Sequence, residues 1–222
     1  MGINIAIDGP AGAGKSTIAK KVAKNKGYKY VDTGAMYRAM ALHIIREKIK
    51  ATDTAAIEKA CEDADISIRY IDGEQVVLLN GENVNAYLRT EEVGNMASAS
   101  SVNGRVRAKL QALQQKLARE ADVVMDGRDI GTSVLPDAEV KIYLTASSYV
   151  RAKRRYDELM AKGESADLEK IETDIIERDH RDMTRQLNPL KQAEDAVFVD
   201  SSDMTIEEVV SHIESIILEK LS

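Results

Sequence analysis

Short hydrophobic runs alternate along this chain with longer segments whose apolar residues recur every three or four positions. The runs Ile3 to Asp8, Tyr28 to Asp32, Asp122 to Asp126, Val140 to Thr145 and Ala196 to Asp200 are nearly continuous and rich in β-branched residues, the pattern of strands buried on both faces. Most end on a polar residue, as parallel strands do where their carboxyl ends face a ligand crevice. Helical periodicity fills the gaps: Lys15 to Lys26, Ala35 to Glu47, Arg105 to Glu120, Ser147 to Lys162 and Leu168 to Thr184. A last amphipathic helix is predicted over Thr205 to Leu221, with Ile206, Val209, Val210, Ile213, Ile216, Ile217 and Leu218 on its apolar face. Strand and helix alternate, so the pattern predicts an α/β fold of three layers around a central five-stranded parallel sheet.

One stretch breaks the rhythm. From Ile66 to Val84 the apolar residues alternate at the strand period, and the pairs Asp72-Gly73 and Asn80-Gly81 punctuate them. Asp-Gly and Asn-Gly are hairpin turns, because both central residues need positive φ. A small antiparallel insert is expected there. It reads equally as decoration beside a loop and as part of an acceptor-substrate domain.

The first strand runs straight into Gly9-Pro10-Ala11-Gly12-Ala13-Gly14-Lys15-Ser16, a G-x-x-x-x-G-K-S loop that opens a helix. This is a P-loop in its proper context. Its glycines let backbone N–H groups point at phosphate oxygens, and the helix N-terminus adds a positive end. Lys15 is placed to reach β- and γ-phosphates, and the Ser16 hydroxyl to sit on Mg²⁺. A dinucleotide fingerprint fits poorly, since Thr17 stands where the third glycine belongs.

Bulk properties narrow the classes. The 222 residues are 44% hydrophobic and 31% charged, ordinary for a globular chain of one α/β domain with an insertion. The net charge of −6 gives no overall footprint for nucleic acid or an anionic membrane. Cys61 is the only cysteine, so an internal disulfide and a cysteine metal cage are excluded. No apolar stretch approaches a membrane span, and the first residues read as a buried strand rather than a signal peptide. A cytoplasmic protein is expected.

A P-loop names a nucleotide, not a reaction, and four other segments add chemistry. Asp32-Thr33-Gly34-Ala35-Met36-Tyr37-Arg38 follows a strand and opens a helix. Ser98 to Arg107 places Arg105 and Arg107 at the start of another. Val123 to Asp126 ends in a carboxylate resembling a Walker B residue, which would hold Mg²⁺ through water, and Arg128 and Asp129 follow in the loop. Arg178 to Arg185 packs three arginines and two aspartates into two helical turns, where Arg178 has an acidic partner at Asp182 by helical spacing. A single arginine is usually a solvated ion pair. Several of them at strand ends suit a site that neutralises two phosphate groups, because guanidinium forks match phosphate oxygens.

The helix after Ser147 carries Arg151, Lys153, Arg154 and Arg155 ahead of Gly163, the make-up of a lid or of a solvated face. His43, His180 and His212 lack metal-binding spacing, and satisfied surface or core histidines are the simpler reading. A GTP switch would read guanine with N-K-x-D, and Asn25-Lys26-Gly27-Tyr28 lacks the aspartate. An aspartic protease needs two facing D-T-G carboxylates in an all-β setting, and this chain has one followed by a helical pattern.

Together, I-D-G-P-A-G-A-G-K-S-T from Ile7, D-T-G-A-M-Y-R from Asp32, D-G-R-D-I-G-T from Asp126 and R-D-x-R-D-x-x-R from Arg178 resemble the bacterial-type cytidylate kinases, in order and spacing up to Arg185. Another small-molecule kinase, such as one acting on shikimate, would not need the last two motifs side by side. The resemblance implies transfer of phosphate from MgATP to CMP or dCMP in pyrimidine nucleotide metabolism, with no covalent intermediate. It implies ATP binding by Gly9 to Thr17, catalysis by Lys15, Asp126 and Arg128, and Mg²⁺ held by Ser16 and, through water, by Asp126. Arg38, Arg128 and Arg185 would hold the acceptor phosphate. Ser98, Arg107 and Asp129 would read the cytosine edge, Arg178 and Asp182 would hold the sugar, and Thr33 and Tyr37 complete the CMP site. It further implies a core of about 1–60, 101–150 and 185–222, a monophosphate-binding insert of about 61–100 and a helical lid of about 151–184. Its partners would be small molecules only, with neither nucleic acid nor membrane, and the chain would act as a monomer.

Overall fold

The computed structural model describes residues 2–222. In chain order the elements are β1 (Asn4–Asp8), α1 (Lys15–Lys26), β2 (Lys29–Asp32), α2 (Thr33–Arg46), α3 (Thr54–Asp63), β3 (Ile66–Ile71), β4 (Glu74–Leu79), β5 (Glu82–Asn83), α4 (Glu91–Ser100), α5 (Gly104–Glu120), β6 (Val123–Gly127), β7 (Val140–Thr145), α6 (Ser148–Ala161), α7 (Leu168–Thr184), β8 (Val197–Asp200) and α8 (Ile206–Leu221). A 3₁₀ turn at Asn85–Tyr87 and a one-turn π-helix at Ile130–Val134 complete the set. The parallel sheet has the order β2-β6-β1-β7-β8, and β3-β4-β5 form a separate sheet. This is the expected α/β architecture. Among the described residues, no helix is long and apolar enough to cross a membrane.

The chain divides into two compact units, one of Gly2 with Lys29–Asp122 and one of Ile3–Tyr28 with Val123–Ser222. In the second unit β1 lies between β6 and β7, with Asp8 paired to Gly127 on one side and Tyr143 on the other. Every residue of β6 is buried, which is why its sequence reads as a continuous apolar run closed by Asp126. α8 begins with a capping box, Thr205 and Glu208 bonding reciprocally, and buries Val209, Val210, Ile213, Ile216 and Ile217. Burying each such side chain contributes about 1.5–3 kcal/mol. Ile206 and Leu218, expected on that face, are exposed. Leu218 falls on the opposite side of the helix, and Ile206 sits in its open first turn.

In the first unit the predicted meander is present. β3 and β4 pair antiparallel with Ile66 opposite Leu79, and β4 pairs with β5 through Leu78 and Asn83. Asp72 and Gly73 have φ of 52° and 80°, and Asn80 and Gly81 have 50° and 83°, as the two hairpin turns require. Two helices here had no counterpart in the sequence pattern. α3 buries only Ile57, Ala60 and Cys61, and α4 only Val93, Ala97 and Ser100, so neither carries a long apolar stripe. Their N-caps, Asp53 bonding Ala56 N–H and Thr90 bonding Val93 N–H, are the local signals that mark them.

Candidate active site

The P-loop turns between β1 and α1. Gly9 is required by close approach, since a Cβ there would fall 1.9 Å from the Leu144 carbonyl oxygen on β7. α1 has no side-chain N-cap bond and no acidic residue in its first turn, which leaves that end suited to an anion. Lys15 is 5% exposed and its Nζ donates to the Pro10 carbonyl at 2.7 Å. Burial, and then the Arg128 charge, hold the Lys15 ammonium well below its ordinary pKa. Phosphate oxygens beside it would reverse that shift. Ser16 donates through Oγ to Asp126 Oδ2 at 2.9 Å. These are two hard oxygen donors in contact, the chemistry Mg²⁺ prefers. Among the described residues no cluster of three His, Cys, Asp or Glu could hold a metal, so a cation here would draw most ligands from phosphate and water.

Two ion pairs of the same unit gather the arginines. Arg128 donates through Nε to Asp182 Oδ2 at 2.9 Å, and Arg185 through Nη2 to Asp129 Oδ1 at 3.2 Å. Arg185 also approaches Asp182 at 3.8 Å, so Asp182 joins two of the predicted acceptor-phosphate arginines. Burial pushes the Asp182 carboxyl up, but the Arg128 guanidinium beside it prevails and holds it below the usual carboxylate range. Arg178 sits one turn earlier on α7, and its charge is felt at both Asp182 and Lys15. The structure thus brings Lys15, Ser16, Asp126, Arg128, Asp129, Arg178, Asp182 and Arg185 together within one unit.

The remaining predicted residues lie in the first unit. Asp32 caps α2 through the Ala35 N–H at 2.9 Å, which places Thr33 at the first helical position, 3% exposed. Arg38 donates to the Leu88 carbonyl at 3.2 Å. Arg107 lies over the Tyr37 ring at 5.6 Å and donates to the Ser101 carbonyl at 3.2 Å. Ser98 is half-buried on α4. Arg105 is instead an exposed partner of Glu62 at 3.5 Å.

Four side chains matter that the motif reading passed over or placed elsewhere. Arg151 was expected on a basic lid helix. It is buried, and it donates to the Ala11 and Ala146 carbonyls, each at 2.8 Å. Asp179 pairs with it at 2.7 Å and accepts from the Ala11 N–H at 3.3 Å. Gln75 brackets Asp32, accepting from its N–H at 2.9 Å and donating to its carbonyl at 3.2 Å. Asp8 is buried at the end of β1 and accepts from the Ile130 and Gly131 N–H groups at 2.8 and 2.7 Å. A polar residue closing an apolar strand ahead of a P-loop was the one available signal for it.

The motifs have known counterparts. Residues 5–219 match the family described as Cytidylate kinase. A cytidylate kinase of Caldicellulosiruptor saccharolyticus is 51% identical over 211 residues, 95% of this chain and 93% of that one. One from Citrifermentans bemidjiense is 48% identical over 222 residues, covering 100% of this chain and 95% of its own. Among solved structures, a gluconokinase of Sinorhizobium meliloti aligns with a TM-score of 0.52 at 15% identity, over 98% of this chain and 92% of that one, a likeness of fold alone. The motifs, the P-loop unit and these relatives agree: the chain belongs to the cytidylate kinase family.

Proposed function

We propose that this protein transfers the γ-phosphoryl group of ATP to CMP and dCMP, giving ADP with CDP or dCDP. The observation that carries the reading is the lattice of Arg128–Asp182 and Arg185–Asp129 in the unit that bears the P-loop. Each guanidinium is held in place by a carboxylate. A phosphate that takes over those forks meets groups already ordered, and less side-chain entropy is lost on binding.

Phosphoryl transfer passes through a loose transition state, so catalysis is alignment and charge compensation. The loop from Gly9 to Thr17 and the start of α1 hold the donor phosphates, and Lys15 follows the charge as it moves. Ser16, and Asp126 through water, would hold Mg²⁺, which neutralises β- and γ-phosphate oxygens when bound. Arg128 and Arg185 grip the acceptor phosphate, with Arg38 of the first unit assigned the same role. Asp129 accepts from the exocyclic amine of cytosine. Uracil presents a carbonyl there and would leave a buried carboxylate facing an acceptor, which supports rejection of UMP. Arg178 and Asp182 bind the sugar, and Thr33, Tyr37, Ser98 and Arg107 are assigned to CMP as well. We place residues 61–100 as the monophosphate-binding insert and 151–184 as the lid of a cytoplasmic monomer.

ADP release measured across CMP, dCMP, UMP, AMP and shikimate tests the reading. CMP and dCMP should lead. Equal rates with UMP or AMP would sink the role given to Asp129.

A further inference from the structure

The π-helix at Ile130–Val134 begins with backbone N–H groups that have no partner inside the turn. The usual remedy is the side chain of the preceding residue, and aspartate is among the best at it. Asp129 occupies that position, yet its side chain makes no capping bond; its Oδ1 accepts from Arg185 at 3.2 Å. The acceptors come from another strand. Asp8, at the end of β1, takes the Ile130 N–H on Oδ1 at 2.8 Å and the Gly131 N–H on Oδ2 at 2.7 Å. The approach is tight. A Cβ on Gly131 would meet Lys141 Cδ at 3.1 Å, so the lysine side chain would have to give way, and would make an ordinary contact with Asp8 Oδ2 at 3.5 Å. Lys141 is itself fixed by Asp195 at 2.7 Å and by the Pro136 carbonyl.

We propose that Asp8 is a positioning residue for acceptor recognition: by capping the Ile130–Val134 turn from outside, it keeps the Asp129 carboxylate turned away from its own turn and toward the acceptor base. This rests on the reading of Asp129 given above. Remove one acceptor oxygen from Asp8 and the orphaned N–H groups draw in the nearest alternative carboxylate, that of Asp129. Asp8→Asn does this with little change of shape, because its amide nitrogen opposes one of the two N–H donors.

The test is a four-protein cycle of wild type, Asp8→Asn, Asp129→Ala and the double variant. The readouts are kcat/KM for CMP and UMP, and amide exchange at Ile130 and Gly131. Asp8→Asn should lower the CMP-over-UMP preference about tenfold, and exchange at both amides should quicken by about tenfold or more. In the Asp129→Ala background Asp8→Asn should leave the preference unmoved. Loss of CMP and UMP activity in equal measure with the preference intact overturns the proposal, as does an undiminished effect in the double variant or unchanged exchange. If Asp129→Ala alone keeps the preference, the cytosine reading falls instead, and exchange at Ile130 and Gly131 still decides whether Asp8 is the cap. Asp8→Ser, smaller and uncharged, takes its place if Asp8→Asn does not fold.

Discussion

The Arg151 guanidinium and the Asp179 carboxylate, buried and 2.7 Å apart, grip the N–H and the carbonyl of one P-loop residue, Ala11. Arg151 comes from α6 and Asp179 from α7, so two helices outside the loop fix its conformation. Lys153 and Arg155 of the same helix behave differently. Lys153 pairs with Asp157, and Arg155 bonds Glu158 at 2.8 Å, both on the exposed side. Exposed pairs of this kind contribute little, because solvent screens them. Arg154, part-buried, instead donates to the Ser201 carbonyl at 2.8 Å, and Arg151 is the fully buried arginine of this helix.

Arg151→Leu leaves the Asp179 charge buried and uncompensated, which costs about 3–5 kcal/mol. Urea unfolding should show that loss, and KM for ATP should rise as the loop loosens. The variant Arg151→Leu/Asp179→Leu should be less destabilised than the sum of the single changes, because the second removes the stranded charge. Strict additivity would mean the two side chains act separately on Ala11.

A pH signature belongs to Asp8. Burial, opposed by the two backbone N–H bonds, pushes its carboxyl up from 3.8 to about 6. The folded protein therefore keeps this proton up to about pH 6, while the unfolded chain releases it near 3.8. Between those values the folded state binds more protons, so stability falls as pH rises, by about 3 kcal/mol across the window. Asp8→Asn cannot titrate. Its stability relative to wild type should climb by about that amount between pH 4 and pH 7, read from urea unfolding at each pH. Parallel curves for the two proteins would remove the titration from Asp8.

How far the sequence carried depended on whether a feature leaves a periodic or local trace. α1 was legible from Lys15 to Lys26 because a glycine loop opens it, and Gly27, in the left-handed region at φ 73°, closes it. β6 was legible because it is buried on both faces. α4 was not, since Gly94, Asn95 and its serines are poor helix formers and only its packing holds them. Within the site, the motif residues were found by type and spacing. Their distant partners were not: helical spacing relates Arg178 to Asp182, whose carboxyl does feel its charge, but nothing in the pattern shows that Asp182 also lies against Arg128 from β6's end and Arg185 from beyond α7. Asp8 and Gln75 act through the backbone of residues far away in sequence, a relationship with no signature in either segment.

Gln75 gives the antiparallel insert a testable link to the start of α2. Its carboxamide imitates a neighbouring strand at Asp32, pairing with both the N–H and the carbonyl. Arg89 adds a weaker contact to the Asp32 carboxylate at 3.6 Å. Asp32 is the cap that sets Thr33, so the insert is tied through Gln75 to a residue proposed for the acceptor. Gln75→Leu should strand both backbone groups, cost about 1–3 kcal/mol and raise KM for CMP about tenfold, with KM for ATP close to wild type. A shift in the ATP constant as large as that for CMP would return the insert to a purely structural part.

The contact between Ser16 and Asp126 yields a prediction about metal dependence. Asp126 is buried at the end of a rigid strand, and its carboxylate is already engaged by the hydroxyl assigned to Mg²⁺. It therefore orients that hydroxyl as well as supplying charge. Chelation of divalent cations with EDTA should abolish turnover while leaving the melting temperature unchanged, since among the described residues no cluster of three metal-ligating side chains ties the fold to a cation. Asp126→Asn keeps the shape and one acceptor but removes the charge. It should weaken the apparent affinity for Mg²⁺ in the presence of ATP about 10–100-fold, as loss of a partner that orients a ligand does. KM for CMP should stay near wild type at saturating Mg²⁺. Activity that is independent of Mg²⁺ concentration in Asp126→Asn, or a metal titration matching wild type, would move the cation site away from this pair.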